Sequence, residues 1–223
     1  MKAILIAILC AMLPVLAVGG DGIVFDGTDD YIGISGLGNI VTCSIVLWVK
    51  IATDARAYEY LLDARVDGGA GYIYWQNSDN VLTSSGGTKY IDGTEGNILN
   101  EDGWHCVVAS GTTINAVTDL KLGTRLNVAD SLLGSIGEVL IYNVVLTADE
   151  ISAIYASKGA WYPRTGLLSR WSMDNNGIST GQAHPNGSTI KDSVGSNDGT
   201  IVDGADSSMV LVTAPTRTKR GRR

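Results

Sequence analysis

Residues 134–143, Gly134-Ser135-Ile136-Gly137-Glu138-Val139-Leu140-Ile141-Tyr142-Asn143, run almost directly into residues 146–155, Leu146-Thr147-Ala148-Asp149-Glu150-Ile151-Ser152-Ala153-Ile154-Tyr155. The first block reads as a strand from Ser135 to Tyr142. The second opens on Thr147 with Glu150 three places on. That spacing lets the threonine hydroxyl and the glutamate carboxylate satisfy each other's backbone N–H groups at a helix start. Ile151, Ile154 and Tyr155 then form an apolar stripe. Lys158 lies near the helix end and Gly159 can stop it. One strand and one short capped helix predict a helix packed onto a β-domain, not a bundle.

Outward from this pair, strand-like runs dominate from Gly22 to Tyr142. Thr42 to Lys50 is the strongest: alternation puts Cys43, Ile45, Leu47 and Val49 on one face, with Val46 and Trp48 on the other. A strand apolar on both sides belongs in the middle of a sheet, with its second face under a loop or ligand. Trp104 to Ala109 is another strong strand, and Trp48 and Trp104 are core candidates. Glycine is frequent (28 residues), and Asp26-Gly27 and Asp92-Gly93 mark tight turns between short runs. Many short strands with frequent turns predict an all-β sandwich or barrel. Hydrophobic residues make up 45% and charged residues only 17%, enough for a full core.

Four signatures carry a resemblance. They are Phe25-Asp26-Gly27-Thr28-Asp29-Asp30-Tyr31-Ile32, Cys43-Ser44-Ile45-Val46-Leu47-Trp48-Val49-Lys50, Gly103-Trp104-His105-Cys106-Val107-Val108, and the strand–helix pair quoted first. In this order they resemble the laminin-G-like branch of the concanavalin A-like superfamily. The resemblance implies an antiparallel jelly-roll β-sandwich with one short helix after the last main-domain strand. It divides the chain into a signal peptide (1–17), the sandwich (18–159), extra strands (160–215) and a basic tail (216–223). The C-terminal part departs from the family layout. Residues 166–174 resemble the strand that often precedes the opening motif, and residues 192–201 the turn and strand after it, yet here both come last. The extra strands therefore either complete the same sandwich or exchange with a neighbour.

Polysaccharide hydrolases of this superfamily carry closely spaced carboxylates on one strand. The glutamates here, Glu59, Glu95, Glu101, Glu138 and Glu150, form no such pair. The expectation is a noncatalytic protein, with a hydrolase as the weakest reading. Asp26, Asp29 and Asp30 are the candidate metal ligands. Oxygen donors in a loop suit Ca²⁺, and the resemblance points the same way. The alternative is that they bond their own turn, and Asp192, Asn197 and Asp198 present the same choice. The candidate ligand-binding residues are Tyr72, Tyr74, Trp75, Asn77 and Asp79, where rings stack on sugar faces and polar groups bond hydroxyls. The alternative for the aromatic region, which includes Tyr58 and Tyr60, is packing. Tyr72 and Tyr74 share a strand face and Trp75 points the other way. His105 has no local acid–nucleophile arrangement, and a structural role is expected of it.

The formal charge is −7, and −12 without the five basic residues of 216–223, so the body repels nucleic acid. Residues 1–17 combine Lys2, an apolar run and Val15-Leu16-Ala17, the pattern of an export signal. The run from Ala3 to Val18 contains Pro14 and is shorter than the ~20 residues of a membrane span. No permanent span is expected. Cys43 and Cys106 either form one disulfide or remain two buried thiols. The combined expectation is a secreted recognition or adhesion module at a cell surface, in the extracellular space or on a virion, whose partner is a glycan or a surface protein. The alternative is a structural surface, fibre or virion subunit that self-assembles. N-terminal sequencing of the secreted protein is expected to start near Val18; a mature form beginning at Met1 excludes cleavage.

Overall fold

The computed structural model describes residues 20–52, 56–65, 69–101, 103–116, 119–173, 181–203, 209 and 211–214. The signal segment 1–17 and the tail 216–223 lie outside them. The strands are β1 (Gly20–Asp26), β2 (Tyr31–Ser35), β3 (Gly38–Ile51), β4 (Tyr58–Asp63), β5 (Tyr72–Gln76), β6 (Val81–Ser84), β7 (Thr88–Ile91), β8 (Thr94–Glu95), β9 (Trp104–Ala116), β10 (Asp119–Leu122) and β11 (Leu133–Tyr142). Helix α1 (Ala148–Ala156) follows, then β12 (Leu167–Ser172), β13 (Thr189–Ile190), β14 (Gly199–Val202) and β15 (Leu211–Ala214). They form two antiparallel sheets. One has the order β15-β1-β11-β3-β9-β7-β8, with β12 also on β11, and the other has the order β13-β14-β2-β10-β4-β5-β6. This is an all-β sandwich of jelly-roll type with one helix after β11. Asp92 and Gly93 both have positive φ (53° and 79°), the geometry of a two-residue turn that matches strand twist, and they close the β7–β8 hairpin.

Alternation in β3 sorts its side chains as the sequence implies. Cys43, Ile45, Leu47 and Val49 enter the core between the sheets. Val46 and Trp48 join Cys106, Val108, Leu140 and Tyr142 in a second cluster on the outer face, which Ile151 and Ile154 of α1 cover. Thr147 accepts the Glu150 N–H and Glu150 accepts the Thr147 N–H, so the capping box forms. Tyr155 stacks on Trp48 at 6.2 Å. The two thiols lie on opposite faces of the sheet and are free, so no disulfide links them. Burial pushes the Cys43 thiol up to about 12, partly offset by a backbone hydrogen bond, and raises that of Cys106 as well.

The C-terminal strands pair with strands of the sandwich. Strand β11 offers one edge to two strands end to end: β1 pairs with Leu133–Ile136 and β12 with Glu138–Tyr142. Trp171 and Met173 are fully buried in the inter-sheet core, and the Trp171 indole N–H donates to the Asn197 carbonyl at 2.7 Å. Strands β13 and β14 extend the opposite sheet beside β2, and β15 pairs with β1. Alternation along β12 sets Arg170 on the face opposite Trp171, where a lone charged side chain stays wet. Instead its side chain is buried against Glu138, with Nε donating to Oε1 at 2.6 Å and Tyr162 beneath the guanidinium. A charge can be buried there because its counter-charge sits on the neighbouring strand.

The acidic segment around Asp192 takes the turn role. One carboxylate oxygen accepts the N–H groups of Arg170, Val194 and Gly195, and the other that of Asn197. Burial pushes its pKa up, but these donors outweigh it and hold Asp192 below its ordinary value.

Removing one member of the buried ion pair strands a charge. Glu138→Ala is expected to cost about 3–5 kcal/mol in urea unfolding, and the double change E138L/R170M much less. A lowered folded pKa makes the native state bind fewer protons than the unfolded one, for an acid or a base alike. His184 is buried with both ring nitrogens unbonded among the described residues, and burial lowers its pKa. Stability is therefore expected to be full above pH ~6.5, to fall as His184 is forced to protonate, and to fall again below pH ~3.8 as Asp192 does. Denaturant titrations across pH check this, and His184→Leu is expected to remove the first decline only.

Candidate functional site

Strands β4 and β5 pair with Tyr60 opposite Tyr74 and Asp63 opposite Tyr72. Ile73 and Trp75 point into the core, so Tyr72, Tyr74 and Gln76 face outward. A register shift between Tyr60 and Leu62 lets Leu61 and Leu62 both enter the core while Tyr58 and Tyr60 join the outer face. The four tyrosines form one aromatic cluster on the outer face, in which Tyr60 is buried and Tyr58, Tyr72 and Tyr74 reach solvent. Tyr72 and Tyr74 stack at 5.7 Å, Tyr60 lies 5.1 Å from Tyr74, and Tyr58 meets Tyr74 edge-on at 5.6 Å. Arg65 spans Tyr60 and Tyr72 (5.0 and 4.7 Å) and is locked by a two-pronged ion pair to Asp63 at 2.9 and 2.7 Å. Burial holds the Tyr60 phenol above its ordinary pKa against the pull of Arg65.

Of the expected ligand residues, the structure brings Tyr72 and Tyr74 together. Asn77 and Asp79 lie in the short 3₁₀ turn that ends β5, where Gln76 Nε2 reaches Asp79 Oδ2 at 3.5 Å. Trp75 stands apart. It is fully buried and its indole N–H donates to the Leu99 carbonyl at 2.9 Å, so no ring face is open to a sugar. Inward projection from β5 is the reason. Arg65 and Gln76 complete the surface and were not legible as site residues. The bulge between Tyr60 and Leu62 puts Asp63 on the same face as Tyr60, which strict alternation does not foresee.

Asp26, Asp29 and Asp30 converge, with one carboxylate oxygen from each within 4.8 Å of the others. Asp30 is fully buried and Asp29 exposed. The turn role also holds: Asp30 Oδ2 accepts the Asp26 N–H at 3.0 Å, and Asp26 Oδ1 accepts the Thr28 N–H at 2.7 Å. Gly27, at φ +80°, has no room for a Cβ because the Arg56 guanidinium lies against it. An all-carboxylate donor set of this size can coordinate a hard cation, in competition with that guanidinium. The loop 123–132 links the two regions. Ser131 Oγ donates to the Thr28 carbonyl beside the acidic cluster, Tyr60 N–H donates to the Asp130 carbonyl, and Arg125 lies 5.8 Å over Tyr60.

This sandwich is a known fold. No protein-family model matches the sequence, and no curated protein sequence matches it. Solved structures do. One is a candidate carbohydrate-binding protein from Bacteroides ovatus ATCC 8483, with TM-score 0.59, 13% identity and 88% of this chain covered. The chain spans 60% of that protein's length. Another is a heptameric SAP-like pentraxin from Limulus polyphemus, with TM-score 0.54 and 13% identity, covering 88% of this chain and 96% of the pentraxin.

Within this fold, three of the glutamates have structural work. Glu59 is buried and accepts the Leu133 N–H at 2.8 Å, Glu138 pairs with Arg170, and Glu150 caps α1. His105 Nδ1 lies 2.7 Å from Asp92 Oδ2, whose other oxygen accepts the Cys106 N–H. The Cys106 thiol projects to the opposite face, and burial keeps it protonated. No nucleophile therefore joins the His105–Asp92 pair through Cys106. No helix among the described residues is long and apolar enough to cross a membrane.

If the acidic cluster binds Ca²⁺, millimolar calcium is expected to raise Tm by selective binding to the folded chain. Asp29→Asn, an exposed change, is expected to abolish the shift while leaving the calcium-free stability within about 0.5 kcal/mol of wild type. Scanning calorimetry with and without calcium is the check.

Proposed function

We propose that this chain is a noncatalytic extracellular recognition module that binds carbohydrate on the outer tyrosine surface of β4 and β5, with Ca²⁺ held by Asp26, Asp29 and Asp30. The carrying observation is the outer aromatic cluster of β4 and β5, in which Tyr58, Tyr72 and Tyr74 reach solvent around a buried Tyr60 and Arg65 braces Tyr60 and Tyr72. Aromatic faces match the C–H faces of sugar rings, and Asn77, Asp79 and Gln76 at its edge supply hydrogen-bonding groups for hydroxyls. The likeness to a candidate carbohydrate-binding protein supports the same reading. The use of Glu59, Glu138 and Glu150 in structural bonds supports a noncatalytic role.

A glycan array tests the proposal. The wild-type chain is expected to bind a defined glycan set, and Tyr72→Ala with Tyr74→Ala to weaken that binding about tenfold or more, a loss of about 1.4 kcal/mol. Undiminished binding by a folded double variant removes the tyrosine surface from the site. Self-assembly is the second reading. It is favoured by Val41, 82% exposed at the irregular stretch of β3 between Ile40 and Cys43, and by Val145, 56% exposed in the β11–α1 loop and lying against Gly111. Light scattering on the wild type and on Val41→Asp separates the two: a complex that dissociates in the variant supports assembly.

A further inference from the structure

The outer face of the helix-bearing sheet is covered by α1 over only part of its area. Val46, Trp48, Leu140 and Tyr142 lie under the helix. One rung further along β3, cover ends and a cleft of about 290 Å³ opens. Four adjacent strands build it by direct cross-strand pairing. Trp104 of β9 is opposite Lys50 of β3, Lys50 is opposite Ser135 of β11, and Ser135 is opposite Val24 of β1. Alternation places all four on the outer face, because their neighbours Val49, Ile136, Ile23 and Phe25 fill the core. Gly22 makes the cleft possible: a Cβ there would lie 2.6 Å from the Trp104 ring, so the indole settles against bare backbone.

The polar groups lining the cleft have a common character. Lys50 is exposed, and neither its ammonium nor the Ser135 hydroxyl nor the Trp104 indole N–H has a partner in the described structure. Ammonium and indole can only donate, the hydroxyl donates readily, and no carboxylate among the described residues lines the cleft. Arg65 on the opposite sheet differs, since Asp63 already neutralises it. Val24, Leu133 and the indole supply apolar surface beside these donors. A ring-sized ligand with one apolar face and one carboxylate fits both features.

We propose that this cleft is a second binding site, separate from the tyrosine surface, for the carboxylate-bearing sugar ring of a uronic acid. The ring packs on Trp104 and Val24, and the carboxylate pairs with Lys50 and accepts from Ser135.

The test is ¹H–¹⁵N NMR of the full chain, following the Trp104 indole signal, which Trp104→Phe assigns. The probes are methyl β-D-glucuronide, methyl β-D-glucoside and cyclohexanecarboxylate. The glucuronide is expected to shift the Trp104 signal saturably, with Kd at least tenfold below that of either other probe. Lys50→Met is expected to weaken it at least tenfold, while Tyr72→Ala with Tyr74→Ala leaves it unchanged. Equal binding of the glucoside overturns the role of charge, and equal binding of cyclohexanecarboxylate overturns the sugar assignment. No saturable shift, or an unchanged response in folded Lys50→Met, overturns the site. Because the two surfaces lie on opposite sheets, loss of tyrosine-surface binding on the array leaves this result independent.

Discussion

Strand β11 carries the architecture because it pairs along both edges and is buried on both faces. Strand β3 runs along one edge, and β1 and β12 divide the other. The handover occurs near Glu138, where the β3 register also shifts between Ile136 and Val139. A backbone irregularity inside a sheet needs local compensation, and here the Met173 N–H donates to the Gly137 carbonyl at 3.1 Å. The Glu138–Arg170 pair adds specificity at the same point. An apolar pair could fill the volume, but two opposite charges that must be buried together favour one register of β12 on β11 over a slipped one.

The outer surfaces follow from that arrangement. With β12 in place, the chain delivers Tyr162 over Arg170, and α1 packs across β3 and β11. The helix is nine residues, too short to cover a face that runs on to Lys50 and Ser135. No helix among the described residues packs on the outer face of the opposite sheet, which carries the tyrosine cluster. Both candidate binding surfaces are thus places where strands β3, β4 and β5 present side chains that the described residues do not cover fully. The 123–132 loop touches both regions, through Ser131 at the Thr28 carbonyl beside the acidic cluster and through the Asp130 carbonyl at the Tyr60 N–H.

Much of this was written locally. The capping box of Thr147 and Glu150, the two-sided apolar pattern of Thr42 to Lys50, and the Asp92-Gly93 turn depend on residues within a few positions of one another, so periodicity and turn chemistry expose them. The convergence of Asp26, Asp29 and Asp30 is local for the same reason. Alternation also separated Tyr72 and Tyr74 from Trp75.

Tertiary structure decided what local spacing could not. Trp75 could not be told from a stacking residue until its indole was found bonded to Leu99, a partner on another segment. Alternation alone leaves Arg170 on a wet face, because its partner Glu138 lies 32 residues earlier and meets it only across paired strands. The bulge between Tyr60 and Leu62 interrupts the two-residue period and brings Asp63 to the face of Tyr60. The opposite placement of Cys43 and Cys106, and the rung Trp104–Lys50–Ser135–Val24, arise only when distant strands align. Sequence alone therefore indicates which residues face together along a strand whose alternation is unbroken. Only the packed sheets fix which strands are neighbours, because pairing register and burial are properties of the whole chain.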